Sequence, residues 1–117
     1  FSARNIMIPP TSIARLTDGP EHAIHEMRKN ALSTVYVVDD RLRLVGILTI
    51  REAVRAHQEG LTIEQVMEKD IPTTTPDAMV SDIMPMAAET IYPIAVVDED
   101  GQLKGIVTKA SVLSSLI

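Results

Sequence analysis

The sequence has no cysteine, no tryptophan and only three aromatic residues, Phe1, Tyr36 and Tyr92. Without cysteine there is no disulfide and no thiolate metal site, and the chain suits a reducing compartment. No apolar run reaches the roughly 18 to 20 residues that cross a bilayer, and the N-terminus lacks the basic-then-apolar pattern of an export signal. Positive charge is also short. The 11 Lys and Arg stand against 16 Asp and Glu, a net charge of −5, so the molecule as a whole has no field favouring nucleic acid or anionic lipid. Catalytic motifs are missing too. The chain contains no Gly-x-Ser-x-Gly, no Gly-x-Gly-x-x-Gly, no Walker A sequence and neither zinc-protease arrangement of His and Glu, which leaves hydrolase and dehydrogenase readings without an anchor. No metal site is expected.

What is present is the composition of a folded domain: 45% hydrophobic and 23% charged residues in 117, enough for one core and too few for two independent ones. The chain opens on Phe1 rather than Met, and the reading is a part of a longer polypeptide.

The chain also repeats itself. Val35 to Thr49 aligns without a gap on Ile94 to Thr108, an offset of 59 residues (94 minus 35). Identities at that offset include Val37/Val96, Val38/Val97, Asp39/Asp98, Gly46/Gly105, Ile47/Ile106 and Thr49/Thr108. Further upstream they include Asp18/Asp77, Ile24/Ile83 and Met27/Met86. Asn5-Ile6-Met7 falls against Gln65-Val66-Met67 at an offset of 60, which places a one-residue insertion or deletion before Asp18. The units expected are residues 1–60 and 61–117.

Each unit should begin with a helical turn ending at Met7 or Met67. An extended segment follows, Thr11 to Ala14 or Pro72 to Thr75, kept out of helix by Pro9, Pro10, Pro72 and Pro76. Apolar residues at helical spacing predict helices over Pro20 to Asn30 and Met79 to Glu89. Two hairpins come next, Val35–Val38 with Leu44–Leu48 and their counterparts around Asp98-Glu99-Asp100-Gly101, with Asp39-Asp40 read as turn residues. Helices over Ile50 to Gln58, stopped by Gly60, and Lys109 to Leu116 close the units. The methionines at 7, 27, 67, 79, 84 and 86 are expected to fill gaps in the core. The fold class is α+β: two β-α-β-β-α repeats packed with pseudo-twofold symmetry into one module, since neither alone buries enough surface.

The unit resembles the CBS motif, which ends Gly-apolar-apolar-Thr/Ser-x-x-Asp-apolar. Here the endings are Gly46-Ile47-Leu48-Thr49-Ile50-Arg51-Glu52-Ala53-Val54 and Gly105-Ile106-Val107-Thr108-Lys109-Ala110-Ser111-Val112-Leu113. The resemblance implies a regulatory module without catalytic activity or required cofactor, binding an adenine nucleotide or cyclic di-AMP in clefts between the repeats. Thr49 and Thr108 are then candidates for a phosphate at a helix N-terminus, beside Arg51 and Lys109. The ribose position holds Glu52 and Ser111 where nucleotide-binding members have Asp. Glu52 keeps the charge on a longer arm while Ser111 offers one hydroxyl, so the first repeat is the better candidate. Tyr92 and Pro93 stand where adenine could stack, although a core or interface role is the commoner one for tyrosine.

The opening Phe1-Ser2-Ala3-Arg4-Asn5-Ile6 and the stretch Tyr92 to Asp100 are similar to the C-terminal CBS region of ATP-binding subunits of glycine betaine/L-proline ABC transporters. That resemblance implies a cytoplasmic module at the inner face of the membrane, held there only through a parent ATPase domain and the transporter's membrane subunit. It would regulate osmoprotectant uptake by sensing a nucleotide or ionic strength. The family also implies a homodimer; a ligand-free dimerisation or docking module of another CBS-containing enzyme, channel or transporter is the alternative. A lipid mechanism would need Arg41, Arg43, Arg51, Arg55, Lys104 and Lys109 to cluster.

Overall fold

The structure is a computed structural model that describes residues 1–10 and 12–117; Thr11, the first residue of the expected extended segment, lies outside the described residues. In chain order the elements are α1 (Ala3–Ile6), β1 (Ile13–Arg15), α2 (Pro20–Lys29), β2 (Thr34–Val38), β3 (Leu44–Thr49), α3 (Ile50–Glu59) and α4 (Ile63–Val66). They continue with β4 (Thr73–Thr74), α5 (Val80–Glu89), β5 (Ile94–Val97), β6 (Leu103–Val107) and α6 (Lys109–Ser114). The architecture is α+β, with two three-stranded sheets ordered β1-β2-β3 and β4-β5-β6. In each sheet the first pair is parallel and the second antiparallel.

Two compact units form. One is Thr11–Asp70; the other joins Phe1–Pro10 to Ile71–Ile117. Packing is thus cut differently from the sequence repeats, because each repeat's opening segment joins the other repeat's strands. Ala3 lies in one core with Ile83, Ile94, Val96 and Val107, while Ile63 and Val66 lie in the other with Met27, Val35, Val37 and Leu48.

In the Thr11–Asp70 unit, period-two alternation along β2 sends Val35 and Val37 toward the apolar stripes of α2 and α3, Ala23, Met27, Ala53 and Ala56. Tyr36 and Val38, the alternate positions, are buried as well, which is why this strand reads as a continuous apolar run. α3 starts on a threonine cap and stops at Gly60, whose φ of 71° is the left-handed region that glycine enters freely. Beyond it Thr62 and Gln65 cap α4 reciprocally. The chain then bridges to β3 through Ile47 N to Glu68 O at 2.9 Å and Glu68 N to Ile47 O at 2.8 Å.

The other unit repeats this device. Ile8 N donates to Ile106 O at 2.9 Å and Ile106 N to Ile8 O at 2.8 Å, and Ala3 N to Ala78 O at 2.8 Å seats α1. The hairpin turns are also matched. The Oδ1 atoms of Asp39 and Asp98 each accept two amides at 2.9 Å, from Arg41 and Arg43 and from Asp100 and Gln102, so these acids are turn residues.

Two expectations are corrected. The one-residue difference between the repeats falls after α2, not before Asp18. α2 and α5 superpose in chain number at an offset of 60, while Val35 and Ile94, opposite Leu48 and Val107, keep the offset of 59. The extra residue is absorbed where α2 ends, with Ala31 at φ 54° and Leu32 N bonded to Met27 O at 2.8 Å. The pairs Asp18/Asp77, Ile24/Ile83 and Met27/Met86 are therefore coincidences of sequence: Met27 is 1% exposed and Met86 36%. Met79, Met84 and Met86 are not core fillers but exposed side chains, because the buried stripe of α5 is Val80, Ile83 and Ala87.

Candidate functional site

The Thr11–Asp70 unit gathers polar groups at the sheet end where β2 begins and β3 stops. Thr34 lies opposite Thr49 in the register, and Ile50 N donates to Ser33 O at 2.8 Å. Thr49 is the N-cap of α3, with Oγ1 accepting from Glu52 N at 3.3 Å. The first turn of a helix leaves amides without intrahelical partners. With those of Ile50 and Glu52 engaged, the Arg51 amide is the open donor of that turn among the described residues. The α3 dipole adds partial positive charge there, and the Arg51 side chain is exposed beside it.

Glu52 does not stand free. Its Oε2 accepts from Arg55 Nη2 at 2.8 Å and Nε at 3.2 Å, and these hydrogen bonds hold the carboxyl below the ordinary glutamate range. Arg55 also reaches Glu59, Nη1 to Oε2 at 3.7 Å. Thr49, Arg51 and Glu52 are thus brought together. Ser33 and Thr34 join them without having been singled out from the sequence, and so does Arg55, which the sequence reading placed only among the basic residues of a lipid cluster. The first two are the chain positions matching Tyr92 and Pro93 at the offset of 59, and Arg55 follows Glu52 at helical i,i+3 spacing.

At the equivalent sheet end of the other unit the two polar side chains bond each other. Thr108 caps α6 with Oγ1 accepting from Ser111 N at 3.0 Å, while Ser111 Oγ accepts from Thr108 N at 2.9 Å and donates to Thr108 O at 2.9 Å. The one hydroxyl that Ser111 has is consumed by this capping box. Lys109 is exposed in the first turn. Ile94 faces Val107, so Tyr92 and Pro93 leave the sheet at the same end as Thr108. Both are half-buried, and Tyr92 N donates to Thr90 Oγ1 at 3.1 Å.

Other polar side chains are engaged in local pairs. Arg43 meets Asp39 at 2.7 Å, Lys104 meets Asp98 at 3.4 Å, His22 lies 3.6 Å from Asp18 and His57 3.8 Å from Glu21. Among the described residues there is no group of three or more His, Asp or Glu placed to hold a metal, and no helix is long and apolar enough to cross a membrane.

The helix pairs differ in chemistry. The groove between α2 and α3 is lined by Glu21, His25, Arg28, His57 and Gln58 around Ile24 and Val54. Its counterpart between α5 and α6, about 250 Å³, is lined by Met84, Ala87, Ala88, Val112, Leu113 and Leu116, with Lys109 its one charged side chain among the described residues. Leu113 is 64% exposed and Leu116 58%.

The CBS domain family model matches residues 3–59 and again 63–117. The glycine betaine/carnitine transport ATP-binding protein GbuA of Listeria monocytogenes is 39% identical over 117 residues, covering 99% of this chain and 29% of that protein; the chain thus spans less than a third of that relative's length. Staphylococcus aureus OpuCA superposes with a TM-score of 0.87 at 25% identity, covering 96% of each chain. Two more distant structures share the fold. CBSX2 in complex with AMP has a TM-score of 0.83 at 18% identity, covering 99% of this chain and 96% of that one. CbpB in complex with c-di-AMP has 0.86 at 19%, covering 99% and 84%.

Proposed function

Because the chain belongs to the CBS domain family, twice over, we propose that it is the regulatory CBS pair of a glycine betaine/L-proline-type ABC transporter ATP-binding subunit. In this reading residues 1–60 and 61–117 form one module that senses an adenine nucleotide or cyclic di-AMP, or ionic strength, and adjusts osmoprotectant uptake. It works at the cytoplasmic face, through the parent ATPase domain and the membrane subunit, without catalysis of its own. The likeness to GbuA supports the transporter assignment, and the ligands named for CBSX2 and CbpB support the ligand class.

The observation that carries the sensing role is the contrast between the two sheet ends. Thr49, Arg51 and Glu52 offer an amide, a hydroxyl, a guanidinium and a carboxylate to a phosphate and a ribose, whereas Thr108 and Ser111 are spent on each other. One ligand per chain is the expected stoichiometry. Calorimetric titration with AMP, ADP, ATP and cyclic di-AMP, at low and high salt, tests it. Thr49→Ala, and Glu52→Ala at high salt, should each weaken binding roughly tenfold, the scale of one lost charge-assisted contact, while Ser111→Ala changes it less than about twofold. No saturation at millimolar ligand would leave the ligand-free docking module as the function.

The apolar α5/α6 face favours a homodimer as part of either function, since clustered exposed apolar side chains at the surface mark association sites. Leu113→Glu combined with Leu116→Glu is expected to abolish self-association in sedimentation velocity. The matched change on the polar face, Val54→Glu with His57→Glu, should leave it intact.

A further inference from the structure

We infer that Arg55 is a positioning residue that makes ribose recognition by Glu52 dependent on ionic strength; the inference rests on the nucleotide reading of the Thr49 site. A carboxylate binds a ribose diol best when each oxygen accepts one hydroxyl. Here Oε2 already accepts two N–H groups of Arg55, at 2.8 and 3.2 Å, and only Oε1 is left for the sugar. A ligand that takes both oxygens must displace a charge-assisted pair. The displacement is set by the protein's own sequence, because Glu52 and Arg55 lie one turn apart on α3 and Glu59, at 3.7 Å, anchors the guanidinium from the other side.

The side chains are partly open to solvent, 33% for Glu52 and 44% for Arg55, so salt screens the attraction. At low ionic strength Arg55 holds Glu52 and the ribose is read weakly. As salt rises the hold loosens and Glu52 turns to the diol. Salt also weakens any phosphate contact at Arg51, which would mask the effect in a single affinity. The ratio of affinities for AMP and 2′-deoxy-AMP removes that contribution, since both carry the same phosphate and base.

The test is calorimetric titration of the chain with AMP and with 2′-deoxy-AMP at low and at high salt, for the native protein, Arg55→Ala and Arg55→Lys. In the native protein the preference for AMP should be within about twofold at low salt and grow with salt. In Arg55→Ala it should be up to about fivefold larger, the reach of an exposed ion pair, and indifferent to salt. Arg55→Lys, which keeps the charge and loses the fork, should fall between. A preference that is the same in native protein and Arg55→Ala overturns the role of Arg55 while leaving nucleotide binding standing. Absence of binding by either nucleotide to the native protein overturns the nucleotide reading and this inference together.

Discussion

Gly46→Val and Gly105→Val are each expected to lower the melting temperature by roughly 12 °C, the equivalent of about 3 kcal/mol for a chain of this size. A Cβ at Gly46 would lie 2.9 Å from the carbonyl oxygen of Glu68 and 2.9 Å from Met67 Sδ. At Gly105 the corresponding neighbours are Ile8 O and Met7 Sδ, again at 2.9 Å each. The methionine ends can move, but the carbonyls belong to the backbone bridges Ile47–Glu68 and Ile8–Ile106. Forcing them apart adds overpacking strain to the loss of two hydrogen bonds in each case. The glycine that opens the CBS ending is thus required by a close approach of chain, not by backbone conformation. Gly60→Ala is the control: its φ is 71° but nothing lies within 4 Å of the added carbon, so it should cost only about 1 kcal/mol. Thermal unfolding of the three variants followed by far-ultraviolet circular dichroism separates the two causes.

Alkaline pH should destabilise the protein through Tyr36. The side chain is 5% exposed in the middle of β2, and burial pushes its pKa from 10.0 up to about 12. Between those values the folded protein keeps a proton that the unfolded chain has released. The unfolded state therefore binds fewer protons, and stability falls as pH rises through that window. The slope reaches about 1.4 kcal/mol per pH unit between the two values, so roughly 2 kcal/mol is lost by pH 12 relative to pH 9. Tyr36→Phe removes the titrating group and should abolish this contribution. Urea denaturation of both proteins at pH 9, 10 and 11 gives the comparison, and parallel pH curves for the two would place the alkaline loss elsewhere.

Much of the candidate site was legible because its groups are local. The passage from strand to helix at Thr49 and Thr108, and the polar positions two and three residues beyond, are read directly from Gly46-Ile47-Leu48-Thr49 and Gly105-Ile106-Val107-Thr108. What the sequence concealed is whether those groups are free. Glu52 and Ser111 look like a conservative and a severe replacement of one acid. What differs is that Arg55 is bonded to the first and Thr108 to the second. Ser33 and Thr34 were hidden for another reason. They approach Thr49 only through the β2–β3 register, and the chain separates them by a helix-free hairpin rather than by a motif spacing.

The alignment of the repeats shows how far identity of residues can mislead. Ile24/Ile83 and Met27/Met86 match in letter, yet the buried stripe of α2 is Ala23 and Met27 while that of α5 is Val80, Ile83 and Ala87. A helix tolerates such drift because its register is fixed by which side chains meet the sheet, and a left-handed residue such as Ala31 at its end can absorb one extra position. The strands cannot drift, since a shift of one residue would turn every side chain to the opposite face.

By itself, then, the sequence determined the duplicated α+β plan, the kind and approximate limits of each element, the turns at Asp39 and Asp98 and the threonine caps. All of these follow from periodicity and from hydrogen bonds within a few residues. Only the tertiary structure decided that residues 1–10 pack with the second set of strands and 61–70 with the first, where the extra residue sits, and which carboxylate and hydroxyl are already engaged. Those outcomes depend on surfaces that distant segments offer one another, and the order of residues along a chain records that a side chain will be buried without recording against what.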